Sequence, residues 1–481
     1  MSGLRRLATM SVLWAGLEAS SVSLFAVVVL MVLAHFLSPA DFGTAAVALA
    51  IVQIVAAISE YLFHDAIVHR VGLTREQTDS AHTVTLIAGL ALTALVMGCA
   101  PLIERLFAIE GLGEVVFWMA PSIFFAAWGA VPVAMLRRNL EMRSVALRMM
   151  VGRLLGGAIA IGAAVAGWGL WSIVWQQVAM TAFASIVLLL LGSTNATKLP
   201  GFGWPRASLA LLRFGTTSLV VNLLWGSISK IFLVTCSFML TPAGVGIVAM
   251  AMRFVDTLAA VVSGAQATVA LSLFARVHRE TGTVRKAYLA GVRLSSYMRI
   301  PLFAGLGAAA HDIVLAFAGE QWLAAVPLVQ IFAAAQAIRS LTLGSAVLTA
   351  IGRPSASLML SVIDLLAGLA LLIVLGPQSA VWVAAAWALR LVVTMPALIY
   401  LLRRLAGVDL RDMVVGTYRA VLASVIMVIA VFAADHVLAT VDLWLRLPLV
   451  VLAGVVVYAA VIWCIDRQLY SMPRQLLAGK T

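Results

Sequence analysis

The chain has 481 residues, of which 63% are hydrophobic and only 11% are charged, and its mean hydropathy is +1.08. This is far more apolar surface than a water-soluble core can bury, so the composition excludes a soluble protein and predicts that a lipid bilayer surrounds the chain. The net charge of +12 does not indicate a nucleic-acid-binding protein, because the basic residues are dispersed among the loops and form no single patch.

Apolar stretches of about 20 residues predict fourteen membrane-spanning helices. In chain order they lie near residues 10–37, 43–63, 82–103, 115–135, 148–167, 169–192, 212–239, 246–274, 290–310, 325–351, 356–376, 379–402, 417–434 and 443–465. The first stretch is too long for the core of a signal peptide, so we expect it to remain as the first helix. The predicted fold class is an all-α polytopic membrane protein.

The charged residues predict how these helices are oriented. With the N-terminus inside, most of the 32 Lys and Arg residues fall in cytoplasmic loops, whereas the outside connections carry acids such as Asp41, Glu104, Asp312 and Asp435. Because Lys and Arg accumulate on the cytoplasmic side of membrane proteins, we expect both termini to be cytoplasmic. The outside connections are all short, and no loop is large enough to form a catalytic domain, so we do not expect an enzyme.

The chain contains an internal repeat. The segment Leu37–Gly43 (LSPADFG) returns 203 residues later as Leu240–Gly246 (LTPAGVG), each time between two apolar stretches. A second segment, Gly152–Gly157, aligns with Ile363–Gly368, 211 residues later. Helices one to six therefore correspond to helices seven to twelve, which is typical of a duplicated membrane transporter.

This repeat predicts the organisation of the chain. We expect an N-terminal lobe at residues 1–192, a cytoplasmic linker at 193–211, a C-terminal lobe at 212–402, and two additional helices with a cytoplasmic tail at 403–481.

Several short motifs resemble one transporter family. They are the turn at Phe36–Gly43, the basic segment Arg137–Arg143, the Gly-Trp turn at Gly167–Trp171, Gly319–Pro327 (GEQWLAAVP) and Thr349–Pro354 (TAIGRP). With other matching segments they cover roughly residues 10 to 405 in order. Together they resemble the polysaccharide-transporter branch of the superfamily of multidrug, oligosaccharidyl-lipid and polysaccharide exporters.

The resemblance implies two pseudo-symmetric six-helix lobes around a central cavity that opens alternately to each side of the bacterial inner membrane. It implies that the chain translocates oligosaccharide repeat units linked to undecaprenyl pyrophosphate, for the assembly of exopolysaccharide, capsule or the O-antigen of lipopolysaccharide. The expected partners are this lipid-linked substrate, membrane lipids, a polysaccharide polymerase and a chain-length regulator.

Seven ionisable residues are predicted to lie deep in the membrane, away from the span ends: Glu18, Lys230, Arg253, Asp256, Arg339, Asp364 and Arg390. Such a group costs about 2.5–3.5 kcal/mol at the centre of a bilayer, so it usually faces a water-filled cavity or a partner. A pyrophosphate needs charge-assisted hydrogen bonds once it leaves water. We therefore regard the four cations Lys230, Arg253, Arg339 and Arg390 as candidates for binding it. Lys230 and Arg253 lie at similar predicted depths, so we expect them to converge on one anionic group.

The alternative is that these charges neutralise one another. Arg253 and Asp256 are three residues apart on one helix face and can pair. Asp364 can pair with Arg339 or Arg390, and Arg390 can also stack on Trp387, which lies one turn earlier.

The three acids Glu18, Asp256 and Asp364 are candidates for coupling transport to a proton or sodium gradient, because a carboxylate in an apolar cavity gains affinity for protons and can ligate a cation. A protonated Glu18 that forms a hydrogen bond to a neighbouring helix is the alternative. No Walker-type loop is present, so we do not expect ATP to drive transport directly. The three Cys residues have no metal-binding spacing, so we expect neither a cofactor nor a metal.

An ion-coupled multidrug or metabolite antiporter with the same architecture is the alternative function. A cavity for cationic drugs should be acidic, so the excess of cations over acids within the predicted spans favours the transport of a lipid-linked sugar.

Overall fold

The computed structural model describes residues 25–192, 200–277, 283–341 and 354–466, and it contains only helices and their connections in these segments. The helices are α1 (Phe25–Phe36), α2 (Pro39–Tyr61), α3 (His64–His69), α4 (Arg75–Phe107), α5 (Leu112–Met119), α6 (Pro121–Arg138), α7 (Met142–Val165), α8 (Trp171–Gly192), α9 (Leu209–Cys236), α10 (Pro242–Val277), α11 (Thr283–Ala308), α12 (Ala310–Phe317), α13 (Val326–Ile338), α14 (Pro354–Leu375), α15 (Ala380–Ala406), α16 (Leu410–Val437) and α17 (Leu443–Ile465). The predicted all-α polytopic fold class is confirmed.

Eleven helical segments of the described residues are long and apolar enough to cross a membrane, or twelve if the bent pair α11–α12 forms one span. Tyr288–Ala308 and Ala310–Phe317 meet at an angle of 70°. The first predicted span falls on the shorter apolar helix α1, and the seventh falls on α9, in which Gly226–Cys236 forms a shorter apolar stretch. The count of fourteen therefore stays a prediction.

The chain divides into two compact units, Met1–Met250 and Ala251–Thr481. In the first unit α2 packs against α6 and α9, α4 packs against α6, and α7 packs along α8. In the second unit α11 packs against α13 and α16, α14 pairs with α15, and α16 pairs with α17. The predicted boundaries of the two lobes and the linker stay a prediction.

The repeated turn is a helix start in both copies. The Ser38 hydroxyl accepts a hydrogen bond from the Asp41 backbone N–H at 3.1 Å and caps α2. In the second copy the Thr241 hydroxyl accepts from the Gly244 N–H at 3.3 Å. Each helix then begins with a proline, whose fixed φ suits the first helical position and whose missing N–H costs nothing there.

The two copies also contact each other, within the first unit. A methyl group on Gly43 would collide with the carbonyl oxygen of Pro242, and one on Gly246 would collide with the carbonyl oxygen of Pro39. The contact is reciprocal, because each glycine is the fifth residue of its helix and meets the first residue of the other. Only glycine allows two helix backbones to approach this closely.

Ion pairs in the second unit join residues of the same predicted membrane side. Arg446 contacts Asp312 at 2.6 Å and Asp435 at 3.5 Å, and all three are predicted to lie outside. At the end of α17, the buried Asp466 accepts hydrogen bonds from Arg293, Arg419 and Tyr297. Burial raises the pKa of the Asp466 carboxyl, but these hydrogen bonds outweigh burial and hold the pKa below its usual value. These contacts agree with the predicted alternation of helix ends, while the orientation of the termini stays a prediction.

The glycine contact predicts the effect of small substitutions. We expect Gly43→Ala and Gly246→Ala each to destabilise the protein by about 1–3 kcal/mol, because a methyl group forces two backbones apart. Gly98→Ala in α4 is the control, since open space surrounds that position and alanine favours a helix. Thermal unfolding in detergent, followed by size-exclusion chromatography, measures the difference. Equal melting temperatures for all three variants would contradict the reciprocal contact.

Candidate functional site

Helices α2, α6, α7, α8 and α9 of the first unit, with α3, surround a cavity of about 350 Å³. Its charged and histidine side chains are Glu60, His64, Arg137, Arg148, Arg153 and Lys230. Four cations thus face one carboxylate, which leaves an excess of three positive charges when His64 is neutral. The Glu60 carboxylate attracts Arg148, Lys230 and Arg137 electrostatically.

The close packing of α7 on α8 places Arg153 in the wall of the cavity. A methyl group on Gly152 would lie 2.7 Å from the Met180 carbonyl oxygen, and one on Gly156 would lie 3.0 Å from that of Gln176. This small-xxx-small pattern lets the two backbones approach, as is common for helices in membranes. Arg153 follows the first of these glycines directly and therefore emerges beside the α8 backbone.

A glycine on α6 makes room for the second arginine of α7. A methyl group on Gly129 would lie 2.8 Å from Nη1 of Arg148 and 3.4 Å from the Ser185 hydroxyl. The guanidinium of Arg148 therefore rests against bare backbone. Ser185 donates a hydrogen bond to the Phe125 carbonyl at 2.6 Å, which ties α8 to α6 at this level.

Helices α2 and α3 run antiparallel to α9, and their register determines the depth of Lys230. Asn222 of α9 donates to the Asp65 carboxylate at 2.9 Å, and a methyl group on Gly226 would lie 3.7 Å from the Tyr61 hydroxyl. Lys230 lies one turn further along α9, and its ammonium donates to the Gly226 carbonyl at 2.5 Å. Lys230 is thus placed deeper in the cavity than Tyr61.

The short helix α3 organises the rim of the cavity. The Arg137 guanidinium donates to Nε2 of His64 at 3.1 Å, and Nδ1 of His64 lies 2.9 Å from the Asp65 carboxylate. Both contacts are satisfied when the imidazole carries its proton on Nδ1. Arg138 donates to the carbonyl oxygens of Ile67 at 2.6 Å and Arg70 at 2.8 Å, which caps the C-terminal end of α3.

The second unit handles its buried charges differently. Arg390 is 2% exposed and pairs with Asp364, and its guanidinium lies 3.6 Å from the centre of the Trp387 ring. Arg390 therefore makes the two contacts that are predicted from the sequence as the alternative to binding the diphosphate, namely the pair with Asp364 and the stack on Trp387. Asp256, Arg339 and Arg390 line a cleft of about 20 Å³, which has room for one water molecule.

The remaining predicted residues are distributed as follows. Arg253 is half-buried on α10, in the second unit, and its carbonyl accepts a hydrogen bond from Thr257 at 2.7 Å. Lys230 belongs to the first unit, so the predicted convergence of Lys230 and Arg253 stays a prediction. Glu18 lies outside the described residues.

Sequence reasoning missed most of the cavity. Glu60, Arg137 and Arg148 lie near helix ends, where charges usually serve as topology signals in contact with water. Arg153 was detectable, because it stands inside the repeated segment Gly152–Gly157, where a charge at a helix-packing surface is unusual.

Comparisons with known proteins agree with this architecture. Residues 32–327 match a family model described as polysaccharide biosynthesis protein. The chain is 26% identical over 336 residues to the succinoglycan biosynthesis transport protein ExoT of Rhizobium meliloti (strain 1021), a match covering 69% of this chain and 66% of that protein. It is 23% identical over 292 residues to the teichuronic acid biosynthesis protein TuaB of Bacillus subtilis (strain 168), covering 58% of each. The matches thus span less than two thirds of the length of either relative.

Two solved structures share the fold. The lipid II flippase MurJ in an inward closed conformation has a TM-score of 0.79 at 14% identity, covering 95% of this chain and 99% of that one. An inward-facing multidrug resistance transporter of the MATE family has a TM-score of 0.65 at 16% identity, covering 82% of this chain and 98% of that one. These identities are low, so the likeness concerns the fold.

The buried pair in the second unit predicts a coupled effect of two mutations. We expect Arg390→Met to destabilise the protein by about 3–5 kcal/mol, because it leaves the Asp364 carboxylate unpaired, and Asp364→Leu in the same chain to restore most of the loss. Arg403→Met is the control, since Arg403 forms an exposed pair with Asp409 that is worth at most about 1 kcal/mol. Thermal unfolding in detergent gives the coupling energy. Additive losses in the double variant would contradict a buried pair.

Proposed function

Because the chain belongs to the polysaccharide biosynthesis protein family, we propose that it is a flippase that carries oligosaccharide repeat units linked to undecaprenyl pyrophosphate across the bacterial inner membrane. The family and the fold are those of transporters, and the chain is a multi-pass membrane protein. The proposal concerns the substrate and its pathway, which is the assembly of exopolysaccharide, capsule or O-antigen.

The excess of positive charge in the first-unit cavity carries this proposal. Arg148, Arg153 and Lys230 surround one space, together with Arg137 at its rim and one acid, Glu60. A cluster of like charges inside a bilayer is costly unless water or an anion compensates it. A diphosphate is an anion with the charge density to do so, and guanidinium groups bind phosphate oxygens through directional, charge-assisted hydrogen bonds. The cations hold the diphosphate while the lipid tail stays in the membrane.

Alternating access is the mechanism we propose for this carrier. The cavity offers the headgroup a polar path across the membrane. A change between inward-open and outward-open states moves the headgroup to the other side, so that the sugars do not enter the hydrocarbon of the bilayer. The antiporter alternative fits less well, because a cationic drug would be repelled by this cavity. A polysaccharide polymerase and a chain-length regulator are the partners we propose on the far side, where the flipped repeat units are joined.

The energy source is also a proposal. A proton or sodium gradient needs a carboxylate that can change its protonation or ligation. Asp364 is already neutralised by Arg390, so Asp256, which lines the cleft of the second unit, and Glu18 are the better candidates among the three acids.

Removing single cavity cations tests the proposed substrate. We expect Arg148→Gln, Arg153→Gln and Lys230→Gln each to weaken the binding of undecaprenyl diphosphate about tenfold or more, because a hydrogen bond to a charged group is worth about 1.5–3 kcal/mol. The readouts are lipid binding to the purified protein in nanodiscs and glycan export by cells with equal amounts of membrane-inserted protein. Arg403→Gln, at an exposed position, is the control.

Normal binding and export in all three cavity variants would overturn the proposed site. Loss of binding in Arg339→Gln and Arg253→Gln instead would move the diphosphate to the second unit.

A further inference from the structure

The first-unit cavity contains two glutamine side chains that have no role in the proposed binding of the diphosphate by the cations. Gln53 of α2 and Gln177 of α8 both line the cavity, and Gln177 is only 8% exposed. Within the described part of the chain, neither side-chain amide has a hydrogen-bonded protein partner. Both amides line the cavity and their polar atoms stay accessible from it, so water or a polar ligand satisfies them there.

Three hydroxyl groups of the cavity already donate their protons to backbone carbonyls. Ser122 donates to the Met119 carbonyl at 2.7 Å, Thr181 donates to the Gln177 carbonyl at 3.0 Å, and Ser185 donates to Phe125. The two glutamines and the Tyr61 hydroxyl are therefore the neutral groups that can offer both donors and acceptors to a ligand.

Each glutamine lies deeper in the cavity than the charged residues of its own helix pair, α7–α8 for Gln177 and α2–α9 for Gln53. Along the antiparallel pair α7–α8, Gly152 faces Met180 and Gly156 faces Gln176, so Gln177 lies slightly deeper than Arg153 and well beyond Arg148. On α2, Gln53 precedes Glu60 by seven residues, which is about 10 Å of helix. The cations therefore lie nearer the rim, with Arg153 and Lys230 about one helical turn from the level of the glutamines, which are the deeper polar groups.

This arrangement matches the chemistry of a sugar attached to a diphosphate. The diphosphate requires cations, whereas the hydroxyl groups of the sugar require neutral groups that both donate and accept. A volume of about 350 Å³ lies near the lower end of the ~300–1,000 Å³ of small-molecule sites, so the cavity has room for the diphosphate and the adjoining sugar and not for a whole oligosaccharide.

We propose that Gln53 and Gln177 form a sugar subsite that binds the first sugar attached to the lipid diphosphate. The subsite rests on the proposed function, since it requires that the cations hold the diphosphate. It makes the flippase selective for the reducing-end sugar.

Binding of two lipids by the full-length protein in nanodiscs tests the subsite. One lipid is undecaprenyl diphosphate, and the other carries a single hexose on the diphosphate. We expect Gln177→Leu and Gln53→Leu to weaken binding of the hexose-bearing lipid about tenfold each, which corresponds to one or two lost hydrogen bonds. Binding of the bare diphosphate lipid should stay within about twofold of the wild type, which also shows that the variants fold.

Two further variants are matched controls. Arg153→Gln should weaken both lipids, and Gln378→Leu, at an exposed position, should weaken neither. If the glutamine variants bind both lipids as the wild type does, or lose both equally, the subsite is wrong while the proposed function stands. If the wild-type protein binds neither lipid, the proposed function is wrong and the subsite falls with it.

Discussion

The cost of placing charge inside a bilayer governs the arrangement of the described helices. An isolated Arg or Lys at the centre of a membrane costs about 2.5–3.5 kcal/mol even on insertion scales, so every such residue needs compensation. The two units provide it in different ways. In the second unit Arg390 pairs with Asp364 and stacks on Trp387, so its charge is compensated by protein groups. In the first unit several cations share one acid, Glu60, and surround an open cavity.

Small residues make the charged cavity possible. Gly152 and Gly156 allow α7 and α8 to approach, and Gly129 leaves the space in which the Arg148 guanidinium lies. Gly43 and Gly246 let the two copies of the repeated turn meet backbone to backbone. Helices in lipid gain little from apolar contact with one another, so close backbone packing at small residues supplies the attraction. The same packing positions the charged side chains against a space that water or a ligand can fill.

The fold was largely predictable from the sequence, and the site was predictable only in part. Apolar runs and the repeat Leu37–Gly43 predict helices, duplication and helix starts, because these depend on local composition. Lys230 was predicted as a binding residue since it stands alone within an apolar helix. Glu60 and Arg148 were not, because a charge near a helix end looks the same whether it faces water or a cavity. Whether such a charge faces water or a cavity depends on which helices pack together. Arg148 of α7 lies against Gly129 of α6, and no local sequence pattern predicts that contact.

A structure of the protein in nanodiscs with a hexose-bearing undecaprenyl diphosphate, determined by electron cryo-microscopy, tests the central claim most directly. The account predicts phosphate density within hydrogen-bonding distance of Arg148, Arg153 or Lys230, with the lipid tail leaving the cavity between helices. Phosphate density beside Arg339 and Arg390, with the first-unit cavity holding only water, would contradict it.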